Sequence, residues 1–223
     1  MSNAEIHSDR FVSFYEALQT QRWDDHRFYH HSRINQSLHF VSALSFIAAY
    51  AFLACGWVVT AAALGWGVSM VTRQSGHFFF EPKTYDDVND VSFQHKEDIK
   101  VGYNLVRKYV LMSAWAATTI VPWLSPTMFG IYAQPYFADP GTVVYEYCHR
   151  VAWLWMITGA AAILIRTTWL CVNVEFRHGI VWMTKILTDP FHDAKIYCKA
   201  PLKLLQGEKL DPMIDWPSPT KRL

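Results

Sequence analysis

Histidine and asparagine recur at tight spacing where the chain enters its first apolar run, in Tyr29-His30-His31-Ser32-Arg33-Ile34-Asn35-Gln36-Ser37-Leu38-His39. A second group, Gly76-His77-Phe78-Phe79-Phe80-Glu81, closes the next apolar run. Imidazoles and carboxylates at the mouth of a hydrocarbon-like region are costly unless they pair or bind something. In a continuous helix His31, Asn35 and His39 share one stripe at i, i+4 and i+8, and His77 and Glu81 stand at i, i+4. Two histidines and a carboxylate with open positions are the donor set of a non-haem Fe(II) oxygenase. His30 and His39 would lie on opposite faces of one helix. Ser32 as an N-cap leaves His30 in the preceding loop, free to turn inward. Either His30 or His31 can therefore join His39 and His77 as a metal ligand. Taken singly, each of these histidines also reads as a cap or an interfacial hydrogen-bonding residue.

The elements that must position these groups are apolar. The 223 residues are 52% hydrophobic and 16% aromatic, with ten tryptophans, which is high for a soluble domain. No charged residue occurs from Leu38 to Thr72, a run too long for one ordinary span and barely enough for two. Cys55-Gly56-Trp57 is the natural turn between helices at about 37–55 and 58–80, the second carrying His77 and Glu81 until Pro82 ends it. Residues 83–103 are polar and read as a connecting segment. A third span is expected from about Leu105 to Leu124 and a fourth from about Tyr147 to Val174, separated by the proline-broken 125–145 loop. The spacing thus predicts an all-α integral membrane four-helix bundle with a C-terminal interfacial amphipathic helix and a Pro-rich end. It divides into a cytoplasmic segment 1–36, a membrane domain 37–174 and a tail 175–223.

Charge gives an orientation. Lys and Arg flank the chain before residue 37, over 73–108 and after 174, and the 124–148 loop contains neither. The positive-inside rule then places both termini in the cytoplasm and the 124–148 loop outside, so the paired motifs share one membrane face. A net charge of +1 argues against a nucleic-acid partner. Four cysteines without CxxC spacing read as small hydrophobes rather than a disulfide framework.

His-x4-Asn-x3-His followed by Gly-His and Glu resembles the small membrane dioxygenases typified by the fungal endoplasmic-reticulum enzyme of 2-hydroxy fatty-acid α-oxidation. The resemblance covers roughly residues 25–82. It implies an Fe(II)-dependent oxidoreductase that removes one carbon from a 2-hydroxy fatty acid or related lipid-derived acid. The matching positions are His30, Asn35, His39, His77 and Glu81, with catalytic roles for Asn35 and Glu81. An endoplasmic-reticulum membrane is implied in a eukaryote, and the inner membrane in a bacterium.

The tail adds His178 and His192 as candidate further ligands; a polar surface role serves either equally well. Arg166, inside the fourth apolar run, is a candidate partner for an acyl carboxylate. Two other classes fit the same residues. One is a membrane b-type cytochrome with haem between His39 and His77, and the other a non-catalytic subunit with partners in a membrane complex.

Overall fold

Ser32 separates two helices that would otherwise merge, and the site depends on that break. The computed structural model describes residues 13–87, 89–99 and 105–212. The expectations for 1–12 and for the Pro-rich end with Pro217 and Pro219 lie outside the described residues. Helix α1 (Phe14–Tyr29) opens on a capping box in which Ser13 and Glu16 satisfy each other's backbone N–H. It ends at His30, whose backbone leaves helical geometry at φ −133° and ψ 44°. Ser32 is extended, accepts from the Asn35 N–H through its hydroxyl and starts α2 (Arg33–Ala54), which begins at 33 rather than 37.

Gly56, at φ +79°, makes the expected turn. The helical run 58–80, α3, is not uniform. It is α-helical over Val58–Ala62 and Val71–Ser75 and π-helical over Ala63–Met70 and Gly76–Phe80. Glu81 is extended (φ −76°, ψ 137°), as its position before Pro82 favours. A short helix, α4 (Phe93–Ile99), lies within the connecting segment. The next run comprises α5 (Leu105–Ala117), a 3-10 turn and Val121–Leu124. Then follow α6 (Val143–Asn173), α7 (Phe176–Tyr197) and α8 (Ala200–Leu205).

The described residues form helices and no strands, so the chain is all-α. Two helices, α2 and α6, are long and apolar enough to cross a membrane. At a rise of about 1.5 Å per residue they measure roughly 33 and 46 Å. The other two expected spans are helical at 58–80 and 105–124 but assembled from short pieces.

Packing centres on α2, which lies against α3, α7 and α8. Its polar residues point inward: Asn35, Gln36, His39 and Ser42 are buried, whereas Val41 and Leu44 are exposed. Ser42 and Ser69 join α2 to α3 by a hydroxyl pair at 2.7 Å. Helix α7, the expected C-terminal amphipathic helix, packs against α1, α2 and α6, and a further short helix, α8, follows it. Gly179 permits this approach, because a β-carbon there would overlap Cys171 Sγ and the α6 backbone. The buried stripe of α7 is Val181, Lys185, Asp189, Asp193 and Tyr197, mostly polar.

Candidate metal centre

Three imidazoles from three elements meet at the N-terminal end of α2. His30 hangs from the end of α1, His39 lies two turns into α2, and His77 stands in the π turn of α3. His39 Nε2 is 3.3 Å from His30 Nε2 and 3.0 Å from His77 Nε2. The metal-binding nitrogens of all three lie within 4.8 Å of one another. His30 and His39 are buried and His77 is half-buried. Burial, then the imidazoles of His39, His26 and His77, hold His30 well below the ordinary histidine range, so it is neutral with a lone pair to offer.

Metal–nitrogen bonds of about 2.0–2.1 Å place neighbouring ligand nitrogens roughly 2.8–3.4 Å apart, from octahedral to tetrahedral geometry. The separations of 3.3 and 3.0 Å fall in that range. His39 Nε2 faces two other ring nitrogens but carries either one proton or one lone pair, so it can make only one full hydrogen bond with them. One cation would satisfy all three. A haem between His39 and His77 needs their nitrogens roughly 4 Å apart on opposite sides of the iron. At 3.0 Å they leave no room for the macrocycle.

No family model, curated protein or solved structure matches this chain.

Around the three rings, Asn35 is fully buried and approaches His77 Nδ1 at 3.5 Å through Nδ2. The same Nδ2 donates to Glu81 Oε1 at 2.6 Å. Glu81 does not share a helical face with His77. The π turn and the extended backbone at 81 carry its carboxyl to the N-terminus of α2, where it accepts from the backbone N–H groups of His31 (3.2 Å) and Ser32 (3.3 Å). It is thus a helix cap that also fixes Asn35. Burial pushes its carboxyl up to about 8, against the lowering effect of these donors.

On the opposite side α7 brings Asp193 to His39. Asp193 Oδ2 lies 3.7 Å from His39 Nδ1 and 2.7 Å from Arg73 Nη2. Asp193 Oδ1 lies 3.7 Å from His26 Nε2. His26 Nδ1 is in turn 2.5 Å from the Tyr197 hydroxyl. Asp193, His26 and Tyr197 were not among the sequence candidates. The signal was present in their spacing, His26 four residues before His30 and Asp189, Asp193 and Tyr197 four apart on α7.

Other candidates lie elsewhere. His31 turns away from the cluster, its Nε2 bonding to the Arg27 carbonyl at 2.7 Å and approaching Asp86 Oδ2 at 3.3 Å. The break at Ser32 thus selects His30 over His31. His178 is exposed and is not in the three-histidine group. His192 is half-buried beside His26, with ring centroids 5.4 Å apart, and is not in the group either. Arg166 is exposed on α6 and stacks over Trp169 at 4.6 Å rather than facing the bundle.

The turn carrying His30 is held from the far end of the chain. Arg33 N–H donates to the Lys209 carbonyl and Asp211 N–H to the His31 carbonyl, at 2.9 and 2.7 Å. Gln36 Nε2 ties the His30 carbonyl to Asp211 Oδ2, both at 2.8 Å.

Proposed function

We propose that the protein is a membrane-embedded, Fe(II)-dependent dioxygenase that shortens a 2-hydroxy fatty acid, or a related lipid-derived acid, by one carbon. The observation that carries this reading is the convergence of His30, His39 and His77 through their Nε2 atoms. Three imidazoles as ligands would leave positions for a chelating substrate and for dioxygen. When bound, the iron supplies dioxygen activation. His30, His39 and His77 would hold it, Asn35 would steady His77, and Glu81 keeps Asn35 and the start of α2 in place. The motif resemblance supplies the substrate class.

The membrane setting is supported by the inverted polarity of the helices. Val41 and Leu44 on α2 and Ile157, Leu164, Ile165 and Val172 on α6 face outward, while histidine, asparagine and serine face inward. In this reading 58–80 and 105–124 also cross the bilayer. Both termini are cytoplasmic, the centre sits at the cytoplasmic interface, and an acyl chain enters from the lipid along the outward face of α2 and α3. Anaerobic Fe(II) reconstitution of the detergent-purified chain, followed by metal analysis and incubation with a 2-hydroxy fatty acid under oxygen, tests it. One iron per chain and a product one carbon shorter are expected. Absence of bound iron would overturn the metal reading, and bound iron without product would overturn the substrate.

A further inference from the structure

Asp193 is 2% exposed on a helix distant in sequence from every proposed ligand. A carboxylate buried that deeply is costly without partners. Arg73 alone satisfies one of its oxygens, at 2.7 Å. Two imidazoles from two further helices nevertheless face it at 3.7 Å, His39 of α2 and His26 of α1. On its own helix the neighbours one turn away are Asp189 and Tyr197. We propose that Asp193 is a positioning residue that fixes the tautomer of His39, and through it the direction of that ring's metal-binding lone pair.

A neutral imidazole carries its proton on one nitrogen and its lone pair on the other. A carboxylate on the Nδ1 side of His39 favours the proton at Nδ1, which leaves the lone pair at Nε2, where His30 and His77 face it. The 3.7 Å separation exceeds hydrogen-bond range, so the effect is electrostatic at that distance. A small movement of the ring or carboxylate closes it into a hydrogen bond. Outer carboxylates of this kind orient metal-bound histidines generally, and their loss costs about 10–100-fold in metal affinity.

The inference rests on the metal reading above, and its test separates the two. Co(II), a spectroscopic probe of imidazole ligation that stays divalent without oxygen, is titrated anaerobically into the wild type and into Asp193→Asn and Arg73→Gln. In parallel, the side-chain nitrogen shifts of His39 are read by NMR in the metal-free proteins and assigned by loss of the signal in His39→Gln. The wild type should show His39 protonated at Nδ1. Asp193→Asn should shift it toward the Nε2-protonated form and weaken Co(II) binding by about 10–100-fold. Arg73→Gln removes the same ion pair but leaves the carboxylate, and should retain the Nδ1 tautomer. A wild-type His39 protonated at Nε2 overturns the inference even if Asp193→Asn fails to fold. So does an Asp193→Asn protein with wild-type shifts. Equal loss of the Nδ1 tautomer in Asp193→Asn and Arg73→Gln reduces Asp193 to an ion-pair strut. If no Co(II) binds the wild type while the shifts behave as expected, the metal reading fails and the Asp193–His39 coupling stands.

Discussion

Asn35 lies directly against Gly76: a β-carbon on that glycine would overlap Asn35 Oδ1. Gly76 opens the π turn that carries His77, so the two halves of the centre meet where only hydrogen fits. Gly76→Ala should displace Asn35, loosen the Glu81 cap and cost about 1–3 kcal/mol, as overpacking in a close-packed site does. Gly67 lies in the same helical run, where a β-carbon would meet nothing within 4 Å. Thermal unfolding and metal content of Gly76→Ala and Gly67→Ala, compared side by side, check this. A Gly76→Ala protein as stable and as metal-replete as Gly67→Ala would sink it.

His77→Ala should remove bound iron and activity together while leaving membrane insertion intact, because the apolar helices are untouched. His149 belongs to a separate aromatic group on α6, stacked on Tyr145 and accepting from Trp153 Nε1 at 3.1 Å, and its Ala variant is the control. Equal metal content in the two variants would show that His77 is structural.

Stability should fall on mild acidification, in part through His192. Burial, followed by the nearby Arg22, pushes this imidazole down to about 4. The unfolded chain takes up the proton near pH 6.5, before the folded chain does, so stability present above that pH is lost as pH falls from 6.5 toward 4. The melting temperature should drop between pH 7 and pH 5, and by less in His192→Gln. Identical slopes in the two proteins would refute the assignment.

The proposed topology predicts that a cysteine at position 130 is labelled by an impermeant reagent from outside intact cells, and one at position 90 only after permeabilisation. The reverse pattern would invert the bundle in the membrane.

Much of this was legible in the sequence because it is local. Gly56 announced the turn between α2 and α3, and Ser32 as an N-cap offered His30 a route inward. What the residues alone left open was which of His30 and His31 joins the cluster, since a helical wheel drawn through the break favours the stripe His31, Asn35 and His39. The His77–Glu81 spacing misled for a related reason. It assumes α-helical turns, and the π turn with the extended residue before Pro82 sends the carboxyl to another helix. Asp193 and His26 were missed because their role comes from packing α7 and α1 onto α2, and no spacing within one segment encodes that. The tail is legible as an amphipathic helix, but the stripe it buries carries Lys185, Asp189 and Asp193, and charge gives no apolar signal of which helices it meets.

The backbone bonds from Lys209 and Asp211 to Arg33 and His31 set an order of assembly. On a ribosome, α2 and α3 emerge and pack early, bringing His39 and His77 together within a short stretch of chain. The turn that holds His30 gains its last restraints only when residue 211 is made, after every helix of the described chain has been synthesised. By then α7 and α8, packed on α1 and α2, have already closed most of that loop, so these bonds add little further entropic cost. A nascent chain halted before residue 208 would lack these last bonds, and the His30 turn would rest on Gln36 and on the Glu81 carboxyl.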